Sequence, residues 1–211
     1  MKRMIGFAML AVTGLAALSS CSKDPLKNMT EDESRIYITN RDSTANFASY
    51  KTYSIVDSVS VIDNNRLTGK TVTAWDQQVL AAVRSAMEAR GYTRVSHTQS
   101  PDLGINVSRL YNTTTHLVDL SDYWGGYGGY YDPYYWGYGG YGYDFPYYGT
   151  YQSTEASLSI DMLDLKNASG NGTIKGVWSG LIRGSGIFNN NSVDNQVKAL
   201  FDQSPYINAA Q

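Results

Sequence analysis

Two kinds of apolar spacing divide the chain. Over residues 75–90, Trp75, Val79, Val83, Ala86 and Met87 recur at helical intervals, which predicts a helix with one buried stripe. Thr73 stands before it with Asp76 three residues on, the arrangement that caps a first turn reciprocally, and Gly91 supplies a left-handed stop. Elsewhere the period is two. After Pro101, Leu103, Ile105 and Val107 alternate with polar neighbours, predicting a half-buried strand that runs on past Tyr111. Ala156, Leu158, Ile160 and Met162 alternate with Ser157, Ser159 and Asp161, which assigns Asp161 to the solvent face. Turn residues 167–172 follow, and residues 173–183 return with Ile174, Trp178 and Ile182 on one face, giving a long β-hairpin.

Weaker patterns complete the order. Residues 35–39 carry Ile36 and Ile38 on one side, residues 47–56 are rich in aromatic and β-branched groups, and residues 92–95 leave the helix as a short strand. A last helix over residues 192–201 turns Val193, Val197, Leu200 and Phe201 inward, with Asn191 as its cap and Pro205 beyond its end. The sequence β-β-α-β-β-(insert)-β-β-α predicts an α+β fold: an antiparallel or mixed sheet, two helices packed on one face, and a Tyr/Gly-rich insertion loop.

The front of the chain follows a different rule. Lys2 and Arg3 precede an apolar run over residues 4–18, too short to cross a bilayer as a helix, and Ser19 and Ser20 lead to Cys21. Leu18-Ser19-Ser20-Cys21 resembles a bacterial lipobox, and Cys21 is the one cysteine present. The resemblance implies cleavage before Cys21 and lipidation of its thiol, with several acyl chains holding the protein durably on a membrane. Ser22 in place of an aspartate implies the outer membrane, facing either the periplasm or the cell surface. The expected organisation is a signal peptide at 1–20, a polar flexible tether at 21–34, a domain at 35–207 interrupted by the insertion at 122–151, and a tail at 208–211.

Within the domain, the segment 46–53 (NFASYKTY), Arg90-Gly91-Tyr92, Pro101-Asp102-Leu103, and Ile160-Asp161 paired with Trp178-Ser179-Gly180 resemble the DUF4136 lipoprotein family of Bacteroidota type. The likeness covers roughly residues 35–207. It implies a secreted or lipid-anchored α+β domain of unassigned activity, often with a Gly/Tyr/Trp-rich insert at this place. It brings no catalytic residue and no cofactor.

Charge narrows the partners. Without the signal, 15 basic residues face 19 acidic ones, a net −4, and no Lys or Arg occurs between Arg109 and Lys166. Nucleic acid needs cations to displace its counterions, so it is excluded as a partner. His97 and His116 lack ligand spacing and read as surface structural residues, leaving no metal site. Asp161 and Asp164 lie three apart on a strand, on opposite faces, so they cannot flank one glycosidic bond. Gly184-Ser185-Gly186 lacks nucleophile-elbow spacing and reads as a loose hairpin exit. No catalytic constellation is visible; a non-enzymatic binding or structural role in the cell envelope is expected, with an envelope-associated hydrolase as the alternative.

The insertion DYWGGYGGYYDPYYWGYGGYGYDFPYYGTY holds twelve Tyr, two Trp, one Phe and nine Gly, with no period of 2 or 3.6. Its candidate binding rings are Tyr123, Trp124, Tyr130, Tyr134, Trp136, Tyr141 and Tyr147. Four readings stay open: a loop collapsed on its own rings; a protein-binding or self-associating surface; glycan binding, with rings stacking on sugar faces beside Asp122, Asp132 or Asp144; and contact with a membrane interface. Separately, Asp42-Ser43-Thr44 and Asp57-Ser58-Val59 resemble the O-glycosylation motif of Bacteroidota, which makes Ser43 and Ser58 candidate acceptors.

Overall fold

The structure, a computed structural model, describes residues 29–64, 66–111, 113–114, 133–145, 152–153 and 156–209. The signal segment, Cys21, residues 21–28 of the tether, His116, Asp122, Asp132 and the insertion's Tyr123, Trp124, Tyr130 and Tyr147 lie outside the described residues. In chain order the elements are α1 (Glu31–Ser34), β1 (Ile36–Arg41), β2 (Thr52–Ile55), β3 (Val59–Asp63), β4 (Arg66–Thr71), α2 (Ala74–Glu88), β5 (Thr93–Arg94) and β6 (Leu103–Tyr111). There follow β7 (Thr113–Thr114), β8 (Gly142–Asp144), β9 (Gln152–Ser153), β10 (Ser157–Asp164), α3 (Ala168–Asn171), β11 (Thr173–Arg183) and α4 (Val193–Asp202). Among the described residues, four helices and a mixed nine-stranded sheet make this an α+β fold.

The sheet runs β1-β11-β10-β6-β2-β5. β1, β11, β10 and β6 are antiparallel neighbours, while β2 runs parallel to both β6 and β5. β3 continues alongside β6 in parallel and carries β4 as an antiparallel partner. Ile55 pairs with Ile105 and Ser60 with Ser108, so five steps along this edge span three of β6. The surplus is taken up in a bend at Asp57 and Ser58. Such irregularities re-aim side chains and concentrate next to sites.

Helix α2 starts where its cap dictates. The Thr73 hydroxyl accepts from the Asp76 amide while the Asp76 carboxylate accepts from the Thr73 amide, at 3.3 and 2.6 Å. Trp75, Val79, Leu80, Val83 and Met87 are buried, and Gly91, at φ +85°, ends the helix in the left-handed region.

Strand register gives the two sheet faces different chemistry. One face carries Leu103, Ile105, Val107, Leu158, Ile160, Met162, Trp178 and Ile182, all at most 1% exposed. Its side chains reach the helices: the Tyr53 hydroxyl donates to the Arg84 carbonyl of α2, Arg109 bonds Asp76, and the Trp178 ring lies 5.5 Å from Phe201 of α4. The Trp178 indole N–H ends on Ser204 Oγ at 2.9 Å. The other face is polar over its middle: Ser54, Asn106, Ser108, Ser159, Asp161 and Ser179. A bulge at Met162/Leu163 aligns Leu163 with Gly176, so Gly104, Leu163 and Gly176 form one row at the end of that face.

Several expectations are corrected by this arrangement. Asp161 is not on a solvent face: it is 2% exposed, because the polar face is itself covered. For the same reason β6 is buried on both sides rather than half-buried. Residues 31–34 are not tether but a helical turn, since Thr30 and Glu33 form a second reciprocal cap and Arg35 ties the turn to the Ser185 and Gly186 carbonyls. The 184–186 exit is therefore fastened. Residues 47–49 form a 3-10 turn before β2, burying Phe47 and Tyr50. Asn191 does not cap α4; the Asn189 side chain accepts its amide in a 3-10 turn ahead of the helix. Ala209, expected in a tail, is buried and donates its amide to the Arg90 carbonyl. The β3–β4 hairpin was not among the expected strands.

Candidate functional site

The short 3-10 turn at Pro133–Trp136 decides what the insertion's described rings do. Consecutive residues on so tight a turn diverge, and Tyr134, Tyr135 and Trp136 have three different fates. Tyr134 is 73% exposed. Trp136, a candidate binding ring by sequence, is 3% exposed: its indole lies on Gly104, where an added Cβ would stand 3.1 Å from Cε2. Glycine is what lets the indole settle on the strand. Phe145 fills the matching notch over Gly176. Tyr141 is half-buried and packs on Tyr138, whose hydroxyl donates to the Leu165 carbonyl at 2.7 Å. These rings cover the end of the polar face instead of facing outward.

Tyr135, which the sequence did not single out, turns to a cleft of about 450 Å³ at the β2–β5 edge. Its ring stacks on His97 at 4.5 Å between centroids with 16° between planes. His97 Nδ1 lies 2.9 Å from the Tyr135 carbonyl oxygen, which can only accept, so Nδ1 carries the proton and Nε2 is left as an acceptor when the ring is neutral. Burial, and then the Asp57 charge, push the Tyr135 hydroxyl's pKa above its ordinary value. Lys70, on an exposed and movable side chain, stands 5.8 Å from the ring centroid. The remaining wall sets apolar Ile55 and Val95 among polar Ser54, Asp57, Arg94, Ser96 and Gln99. His97, expected as a plain surface histidine, is thus half of a two-ring wall. No spacing rule could have brought His97 and Tyr135 together, because they lie 38 residues apart on different turns.

Behind the same turn is the polar row. Asp161 faces Asn106 on one side and Ser179 on the other. The Ser159 hydroxyl donates to its carboxylate at 3.0 Å, and burial nevertheless pushes the carboxyl up to about 7. Asn106 is 0% exposed, and among the described residues neither its side-chain amide atoms nor the buried Trp136 Nε1 has a hydrogen-bond partner. Asp164 stands on the opposite face, held by the Asn167 amide and side chain, so the two aspartates share no substrate position. Among the described residues no three His, Cys, Asp or Glu cluster as metal ligands, and no helix is long and apolar enough to cross a membrane.

Of the candidate acceptors, Ser43 is exposed beside Asp42, and Ser58 is half-buried with its hydroxyl on the Asp57 carboxylate at 3.1 Å. Burial raises the Asp42 pKa, but the Lys175 ammonium at 2.6 Å and the Thr44 amide outweigh it and hold the carboxyl below its usual range.

The model of DUF4136, a domain of unknown function, matches residues 38–206. A crystal structure of a DUF4136 family protein from Bacteroides thetaiotaomicron is 32% identical, with a TM-score of 0.69, covering 83% of this chain and 98% of that one. Two more distant solved chains are PelC from Paraburkholderia phytofirmans and a PDZ domain protein from Parabacteroides distasonis. PelC is 11% identical with a TM-score of 0.38, covering 84% of this chain and 99% of that one. The PDZ domain protein is 12% identical with a TM-score of 0.41, covering 87% and 42%. No curated protein matches.

Proposed function

The chain belongs to the DUF4136 family, and from that premise we propose that it is a lipid-anchored envelope protein that binds glycan without catalysing a reaction. The observation that carries the reading is the Tyr135–His97 stack set beside Asp57, Arg94 and Gln99 in an open cleft. Sugars are recognised by flat rings against their C–H faces and by planar polar groups against their hydroxyls, and this cleft offers both. Asp57 and Arg94 offset one another in the lining, and Lys70 over the Tyr135 ring adds one positive charge, so a neutral or weakly acidic saccharide fits. Two helices packed against the apolar face make a rigid back for it, and the Tyr/Gly insertion forms one wall through Tyr135.

Anchoring rests on Cys21, with the domain held off an outer membrane by residues 22–30 and facing periplasm or exterior. The test is metabolic labelling with a fatty-acid probe: wild type takes label and Cys21→Ala does not. Binding is tested by titrating neutral oligosaccharides into the lipid-free chain, with Tyr135→Ala as the comparison. Ser43 and Ser58 are proposed O-glycan acceptors, Ser43 being the more accessible. Intact-mass measurement of the native protein decides that point, and mass equal to the bare chain plus lipid rejects it.

A further inference from the structure

Two cations stand at the Tyr135–His97 wall with no carboxylate to hold them. Lys70, on the exposed strand β4, brings its ammonium to 5.8 Å from the Tyr135 ring centroid, and Arg94, on β5, lines the cleft. Among the described residues neither enters an ion pair, whereas Arg35, Arg109, Lys166, Lys175 and Lys198 each do. The acid in the lining, Asp57, takes the Ser58 hydroxyl at 3.1 Å instead. Behind Arg94, the charges of Arg84 and Glu88 offset one another.

The excess is therefore local and positive. Arg94 and Asp57 cancel within the lining, and Lys70 is left over. It is not a background effect, because the chain as a whole is acidic, with 17 Lys and Arg against 19 Asp and Glu. The ring holds Lys70 weakly, near the outer limit of a cation–π contact. A lysine's long flexible stem lets its ammonium swing to a stronger partner. A carboxylate is such a partner, since hydrogen bonds between ionised groups are shorter and stronger than neutral ones. A phosphate monoester would bring about two negative charges, more than this wall offsets.

We propose that the saccharide taken by the cleft carries one carboxylate, as a uronate does, and that Lys70 is the residue that selects it, with Arg94 as a second counter-charge. This rests on the glycan reading of the cleft and deepens it by naming the class of sugar. The two rings serve acidic and neutral sugars alike; Lys70 tells them apart.

The experiment is calorimetric titration of the lipid-free chain with disaccharides ending in gluco-, galacto- or mannuronate, each beside its own methyl ester. The ester keeps the sugar and removes the charge. At low salt the preferred acid is expected to bind about fivefold tighter than its ester, the upper range for an exposed ion pair. That preference is expected to fade in ~1 M salt, where the screening length is about 3 Å. Lys70→Gln, a change on an exposed strand, is expected to bring the acid most of the way down to its ester. Equal affinity of acid and ester in wild type, or a preference that Lys70→Gln leaves whole, overturns the inference, while binding of the esters keeps the cleft reading. If neither acid nor ester of any sugar binds the folded chain, both readings fall.

Discussion

Phe145 packs its ring against Gly176 of β11, filling the space a side chain there would need. A methyl added at Gly176 overlaps the ring, whereas one at Gly104 meets Leu165 Cδ1 at 3.0 Å and Trp136 Cε2 at 3.1 Å. Gly176→Ala is therefore expected to destabilise by ~1–3 kcal/mol through forced displacement of Phe145, and Gly104→Ala by less. Urea melts of the two variants check the order. Equal stability of Gly176→Ala and wild type would mean that Phe145 does not pack there.

A second node joins α2 to the sheet. Arg109 of β6 donates to Asp76 at 2.7 Å and to Thr73 at 2.8 Å, with its guanidinium 4.5 Å above the Trp75 ring. Asp76 has 0% side-chain exposure and Arg109 14%. Asp76→Ala removes the cap and leaves the arginine unpaired, so a loss of ~3–5 kcal/mol is expected. Thr73→Ala, which spares the ion pair, is expected to lose ~1 kcal/mol. Thermal and denaturant melts of the pair separate cap from charge.

Asp161 makes stability depend on pH in a stated direction. Its folded pKa, about 7, lies above the ordinary carboxyl value of 3.8. The folded chain then holds a proton that the unfolded chain releases, so this group's contribution is full below about pH 4 and is lost as pH rises through 7. At ~1.4 kcal/mol per pH unit across that window, the fall is on the order of 4 kcal/mol. Asp161→Asn should flatten the slope between pH 4 and 7 and melt higher than wild type at pH 8. A slope unchanged by the substitution would assign the dependence to other groups.

Local rules were legible where one short stretch carries the whole cause. Thr73 and Asp76 announce the start of α2, Gly91 its end, and the alternation around Ile160 and Trp178 the β10–β11 hairpin. The β3–β4 hairpin was not legible because β4, RLTGKT, is exposed along its length and shows no period. Asp161 was misassigned because alternation says which residues share a face, not whether a second layer covers it. The site was least legible. Tyr134, Tyr135 and Trp136 are chemically alike in sequence, and only a 3-10 turn sends one to solvent, one to a cleft and one to the core. Gly104 and Gly176 gave no signal in advance that rings would lie on them.

The most direct test of the account is calorimetric titration of the lipid-free chain with neutral oligosaccharides, wild type against Tyr135→Ala and His97→Ala. The account predicts saturable binding by wild type, weakened about tenfold or more in Tyr135→Ala, as expected when a stacking ring worth ~1.4 kcal/mol or more is removed. Binding of equal strength in Tyr135→Ala, or no binding by a folded wild-type chain, would contradict it.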